Sequence, residues 1–346
     1  MREEEPRSTI GRVGDGRIAL ETEGLRLLID PALGGKVCSL RSRQTGREFF
    51  FQDRHVEPSG ERYVAHDMSG MDECFPTVAA SSVRLGAEDV SYGDHGLLWS
   101  RPWQARIEGG AVRMWVDVPE VQARFERCCR AEGENRIVFE YRLSHGLAHA
   151  LPFVYSAHPL LAGGRESELL LPGSADRVFI EALAGAPELE AKRWDTREAV
   201  RRHVCERGFD AARNSYVKAF LPDVDEGRVG LRAGSSGETL WIEFDRQALP
   251  QMGIFVFEGY GESAAAPYRD EVFFGLEPTT GIGCVCPATE HLVHSVVSQV
   301  IWCWPSAFVR IHGSRGEASI STWTFRSRSA RPIAVQKSAF RLSKGT

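Results

Sequence analysis

Short runs of alternating apolar and polar residues follow one another along the chain, and few outlast a strand. RIALETEGLRLLID gives two such runs around Glu23-Gly24, and GKVCSLRSRQTGREFFFQ gives two more around Thr45-Gly46. ARIEGGAVRMWVDV turns at Gly109-Gly110, RFERCCRAEGENRIVFEYRL within Glu132–Asn135, and VGLRAGSSGETLWIEF within Gly234–Gly237. Later runs are GIFVFEGY, EVFFGLEP, HLVHSVVSQVIWCW and SISTWTFR. Period-two alternation bounded by Gly pairs and Asn/Asp/Gly clusters is the signature of hairpins. The runs do not alternate with long helical patterns, which argues against a parallel α/β sheet. The pattern predicts an all-β fold, a large antiparallel sandwich.

One stretch departs from this. Residues 185–208 are polar and helix-friendly, with Asp195 and Glu198 spaced as a capping box and Gly208 as a stop. They predict a short helix over about 196–206 on a surface excursion. The division expected is a flexible tail over 1–10, one sandwich domain over 11–330, and a basic C-terminal segment over 331–346. From Arg326 onward the chain carries basic residues and no acidic ones.

Composition narrows the partner. With 346 residues, 42% apolar and 26% charged, the chain can bury a sizeable core without cross-links. A net charge of −5 with no basic field argues against nucleic acid and leaves a small neutral ligand as the better fit. The N-terminus MREEEPRSTIG has no apolar core of a signal peptide, and no run approaches a membrane span, so a cytoplasmic location is expected. The eight cysteines include no CxxC pair and read as reduced thiols. Cys128 and Cys129 are neighbours on a strand, point to opposite faces, and make poor co-ligands. No Walker loop, HExxH or helix-opening GxGxxG is present, and no cofactor or metal is expected.

Four blocks combine polar residues with turns or aromatics. HDMSGMDECFPT holds Asp72 and Glu73, and SYGDHGLLWSRPW holds His95, Trp99, Arg101 and Trp103. In FVYSAHPLLAG, His158 ends an apolar run before Pro159; in FFGLEPTTGIG, Glu277 does the same before Pro278. Proline interrupts ladder pairing, so both groups are expected where a strand leaves its sheet. Each alone suits a satisfied structural polar residue. Together they suit an acid, a base and an orienting group.

These blocks, in this order, resemble the aldose 1-epimerase (galactose mutarotase-like) superfamily, in a divergent branch. PALGGKVCSLRSRQTGREFFF is similar to its early strand pair, DHGLLWSRPW to its His-Gly block, SAHPLL to its second histidine block and FGLEPTTG to its late glutamate block, over about residues 10–325. The resemblance implies a β-supersandwich with a ligand cleft on one sheet. It implies a mutarotase that interconverts sugar anomers, with His158 as general acid, Glu277 as general base and His95 binding the substrate and stabilising the transition state. Trp99, Glu73, Asp72, Arg101 and Arg62 are the substrate-binding candidates. The second histidine is followed by Pro159-Leu160-Leu161 rather than the aromatic and asparagine of the galactose-active branch. The sugar, phosphorylated or not, therefore stays open. A non-catalytic carbohydrate-binding protein, or a lyase or hydrolase on the same scaffold, is the alternative.

Overall fold

The computed structural model describes residues 8–53, 63, 67–85, 87–148, 151–164, 166–172, 177–184, 193–196, 215–234, 236–258, 271–281, 301–304 and 321–328. Strands dominate it, and they form two large antiparallel sheets. The first runs, in spatial order, β1 (Thr9–Val13), β2 (Arg17–Glu21), β3 (Leu25–Asp30), β4 (Lys36–Ser42), β5 (Met71–Cys74), β12 (Ser156–Ala162), β20 (Val272–Thr279), β19 (Gln251–Glu258), β16 (Ser215–Leu221), β14 (Arg177–Ala184) and β15 (Arg193–Thr196). The second runs β13 (Glu168–Leu170), β17 (Arg228–Arg232), β18 (Thr239–Glu243), β22 (Ser321–Arg328), β11 (Arg136–His145), β10 (Ala123–Ala131), β9 (Ala111–Val118) and β8 (Gln104–Glu108). β21 (Ile301–Trp304) also pairs with β11, and β6 (Ser81–Leu85) and β7 (Glu88–Tyr92) form a separate hairpin.

Alternation sets which residues lie inside. Leu25, Leu27 and Ile29 of β3 are buried while the residues between them are half-exposed, and β9 repeats the pattern with Val112, Met114, Val116 and Val118. The inner faces of both sheets feed one core, with Leu27, Val37, Ala157, Met252 and Leu276 from the first and Val112, Phe125, Phe139 and Ile242 from the second. The expected hairpins at Gly109-Gly110, Glu132–Asn135 and Gly234–Gly237 join β8 to β9, β10 to β11 and β17 to β18. The run after Thr45-Gly46 instead makes isolated bridges, from Glu48 to Arg41 and from Phe50 to Leu161.

Thr196 closes a strand, and the rest of the helix expected over about 196–206 lies outside the described residues. Arg326 and Arg328 belong to β22, which lies between β18 and β11 in the second sheet, so the basic stretch begins within a strand; residues 331–346 lie outside the described residues. Among the described residues no helix is long and apolar enough to cross a membrane. Cys38, Cys74, Cys128 and Cys129 are free thiols.

The central strands β5, β12 and β20 are buried on both faces. Pro159 and Pro278 correct one expectation here: neither ends a strand. Pro159 sits opposite Met71 within β12, and Pro278 opposite Met252 within β20. β12 and β20 pair at Ser156–Thr279 and again at Leu160–Gly275, and the ladder between them opens over the residues that separate these pairs. The prolines, lacking an N–H, fall in that opening. The strands continue through it, and His158 and Glu277 lie mid-sheet.

Candidate active site

Register builds the site. His158 is opposite Asp72, and Gly253 is opposite Glu277. The pairs that flank the ladder opening place His158 level with Glu277, and Val37 opposite Met71 places Lys36 level with Asp72. Lys36, Asp72, His158, Glu277 and Gly253 therefore form one transverse row over β4, β5, β12, β20 and β19. They share the face turned away from the second sheet, because residues level with one another across strands point the same way.

Two pairs of neighbours in the row touch. His158 Nε2 lies 3.4 Å from Glu277 Oε1. Lys36 Nζ donates to Asp72 Oδ2 at 2.7 Å and to the Ser69 carbonyl at 2.8 Å. His95 arrives from a loop. Its φ of 59° is in the left-handed region, and its N–H donates to the Val78 carbonyl at 2.9 Å. Gly96 follows with φ 71°, and a Cβ there would collide with the Phe75 carbonyl, so the His-Gly pair needs its glycine. This turn brings His95 Nε2 to 3.4 Å from His158 Nε2. Asp94 Oδ1 stands 3.1 Å from His95 Nδ1, at ion-pair distance.

Tyr63 completes the cluster, and the sequence patterns did not single it out. Its ring stacks on His95 at 3.5 Å and meets Trp99 edge-on at 5.4 Å. Its hydroxyl lies 3.2 Å from both His158 Nδ1 and Asp72 Oδ2. Trp99 Nε1 donates to the Asp94 carbonyl at 3.2 Å, which ties the indole to the His95 turn.

Two glycines make room for Glu277. A Cβ on Gly275 would stand 2.6 Å from Glu277 Oε1 and 2.9 Å from Phe255 Cβ; one on Gly253 would stand 3.0 Å from Glu277 Oε2. Gly275→Ala is therefore expected to push the carboxylate out of the row and to cost about 1–3 kcal/mol of stability through overpacking. Denaturant unfolding measures the loss, and a variant as stable as the parent would show that the carboxylate has space to move. Beyond Gly275 on the same face, Phe51, Leu160, Phe257 and Phe273 form a separate apolar cluster, with Phe257 stacked on Phe273 at 4.6 Å.

Burial sets the protonation. It pushes the Glu277 carboxyl up, an effect that Lys218 opposes and Glu181 reinforces. It pushes His158 well below its ordinary value of 6.5, and His95, Lys218 and Lys36 push the same way. Burial also lowers His95, against the pull of Asp94. A histidine lowered by folding leaves the unfolded chain binding more protons below 6.5, so its contribution is whole above that value and is lost as pH falls towards the folded value. Glu277 has the opposite sign: raised by folding, it loses stability as pH climbs from 4.5 towards its folded value. Thermal unfolding just below pH 6.5 is expected to show His158→Gln losing less stability on acidification than the parent. Parallel curves for the two would show that His158 is not held neutral.

Solved structures share this architecture. The chain covers 90% of its length against 97% of a galactose mutarotase related enzyme from Lactobacillus acidophilus, at TM-score 0.59 and 14% identity. It covers 94% against 98% of a galactose mutarotase-like protein from Clostridium acetobutylicum, at TM-score 0.60 and 12% identity. The chain has the galactose mutarotase-like fold. The Slr1438 protein from Synechocystis sp. PCC 6803 is similar too, at TM-score 0.62 and 12% identity, with 94% of this chain and 97% of that one covered. No protein-family model matches the sequence, and no curated protein matches it.

On this galactose mutarotase-like scaffold the residues expected at the site separate into groups. His95, His158, Glu277, Asp72 and Trp99 come together. Glu73 does not. As the neighbour of Asp72 on β5 it points to the opposite face, into the space between the sheets. There it accepts from Arg127 Nη1 and Tyr141 Oη, each at 2.8 Å, and from Tyr155 Oη at 2.7 Å. Burial pushes its carboxyl up, and Arg127 and both phenols pull it back. Arg127 also donates to the Gly35 carbonyl. Arg101 pairs with Glu120 near the surface. Trp103 belongs to the core, with the Arg127 guanidinium 5.1 Å from its ring. Arg62 lies outside the described residues.

Proposed function

We propose that this protein is a sugar mutarotase, which opens and recloses the ring of an aldose or aldose derivative at its anomeric carbon. The observation that carries the reading is His158 Nε2 standing 3.4 Å from both Glu277 Oε1 and His95 Nε2. Exchange of anomers needs a proton taken from the C1 hydroxyl and another given to the ring oxygen. Glu277 takes the first and His158 gives the second, while His95 contacts the substrate and stabilises charge as it moves. The C1–O5 bond breaks, the aldehyde end turns, and the same two groups exchange protons in reverse as the ring recloses on the other face.

Burial acts unequally on the two protonation states of this pair. Transfer in the opening step converts a carboxylate and an imidazolium into a carboxylic acid and a neutral imidazole. That neutral pair is the form favoured by burial, which raises Glu277 and lowers His158. Burial therefore holds the resting pair neutral, and ring opening by these roles starts from the charged pair, in which the proton has moved from Glu277 to His158. Trp99 and the Tyr63 ring, which meet edge-on beside His95, are the aromatic groups next to this pair.

NMR magnetisation transfer between anomers, run over a panel of free and phosphorylated aldoses, tests the reading. Exchange above the buffer rate for at least one sugar is expected. Binding of a sugar by calorimetry with no exchange for any member would replace this reading with a carbohydrate-binding role, and cleaved products detected by mass would replace it with a lyase or hydrolase.

A further inference from the structure

We propose that Lys36, Asp72 and Tyr63 act as a positioning relay that keeps a proton on His158 Nδ1, so that Nε2 is the working nitrogen. The inference deepens the mutarotase reading by assigning residues that hold the acid in place. It rests on geometry that exists whether or not that activity does.

The relay is built from the buried side outward. Lys36 is 0% exposed and Asp72 2%, and they meet at 2.7 Å. At this distance the two form an ion pair, and the carboxylate oxygens of Asp72 have lone pairs only and accept whatever else approaches them. The Tyr63 hydroxyl, 3.2 Å from the same Oδ2, therefore turns its single proton towards Asp72, because a bond to a carboxylate is stronger than one to a neutral imidazole nitrogen. That leaves the phenol oxygen facing His158 Nδ1 at 3.2 Å as an acceptor, and Nδ1 must donate. Burial raises the Tyr63 phenol well above its ordinary value, so this hydroxyl keeps its proton throughout.

With Nδ1–H held in both charge states of the ring, proton exchange is confined to Nε2. Nε2 is the atom that faces Glu277 and His95. The hydrogen bond made by one histidine nitrogen sets the state of the other, and this arrangement fixes ring orientation as well as tautomer. The row geometry explains why the relay is available: Asp72 is the cross-strand partner of His158, and Lys36 stands one strand further out. Tyr63 supplies the hydroxyl that spans from the carboxylate to the ring.

Long-range ¹H–¹⁵N NMR of the full chain labelled at histidine tests the relay directly, with the His158 signals identified by their loss in His158→Gln. The expected result is a protonated Nδ1 in the parent at every pH where the chain stays folded. An unprotonated Nδ1 in the parent overturns the proposal without any variant of the relay. Tyr63→Phe keeps the ring that stacks on His95 and removes the hydroxyl. It is expected to give mixed His158 tautomers and, if anomer exchange is present, to lower kcat about ten- to hundredfold. A Tyr63→Phe protein whose Nδ1 signal matches that of the parent also overturns the relay. A parent with protonated Nδ1 and no anomer exchange on any sugar would remove the mutarotase reading and leave the relay standing.

Discussion

Glu277→Gln is expected to slow anomer exchange by about a hundred- to ten-thousandfold, the range that one positioned acid–base group supplies. The amide keeps the shape that Gly253 and Gly275 accommodate, so the chain should fold. It cannot take a proton from a hydroxyl. It also removes a carboxyl that burial resists ionising, so the variant is expected to be as stable as the parent near pH 4.5 and more stable at neutral pH. The two readouts separate a catalytic loss from a structural one. Magnetisation transfer gives the first and thermal unfolding at both pH values the second. Exchange at the parental rate would remove Glu277 from the chemistry, and a variant less stable at neutral pH would show that the carboxylate is satisfied where it stands.

The second large effect lies on the other face of the same sheet. Arg127→Met is expected to destabilise the chain by about 3–5 kcal/mol, because it leaves Glu73 charged between the sheets with no cation. Arg127 and Glu73 are both 0% exposed in their side chains, and the pair joins β10 of one sheet to β5 of the other. The double variant Arg127→Met, Glu73→Gln removes the stranded charge and keeps an acceptor for the Tyr141 and Tyr155 hydroxyls. It is therefore expected to be more stable than Arg127→Met alone. Urea unfolding of the parent, Arg127→Met, Glu73→Gln and the double variant measures this, and losses that simply add would show that the two side chains are not coupled.

The architecture was readable because most strands have one wet face. The alternation in LRLLID and AVRMWVDV gives both the strand and its inner side. The acid–base residues were readable for a related reason: an ionisable group inside the apolar runs VYSAHPLL and VFFGLEPT stands out against its neighbours. Their placement was not readable. Proline marked the local gap in the ladder but not the fact that both strands pass through it. The alternation that separates Cys128 from Cys129 also separates Asp72 from Glu73, so only one of the two acids could face the site. Lys36 and Tyr63 had no such signal. A lysine opening a strand after Gly34-Gly35 has the look of an ordinary surface cation, and Tyr63 stands apart from any alternating run. What makes both of them part of the site is contact with Asp72, which register and loop path create.

The transverse row has a consequence for how the protein acquires its site. Lys36, Asp72, His158 and Glu277 come from segments far apart in the chain, and no two of them share a tight hairpin. Closing such distant contacts is entropically late work, since the local hairpins are favoured first. Each member also depends on its own strand being in step, because a slip of one residue would turn its side chain to the opposite face. The site thus has no partial form. It comes into being when the middle of the first sheet is complete, and a nascent or damaged chain that has assembled only the hairpins of either sheet carries none of it.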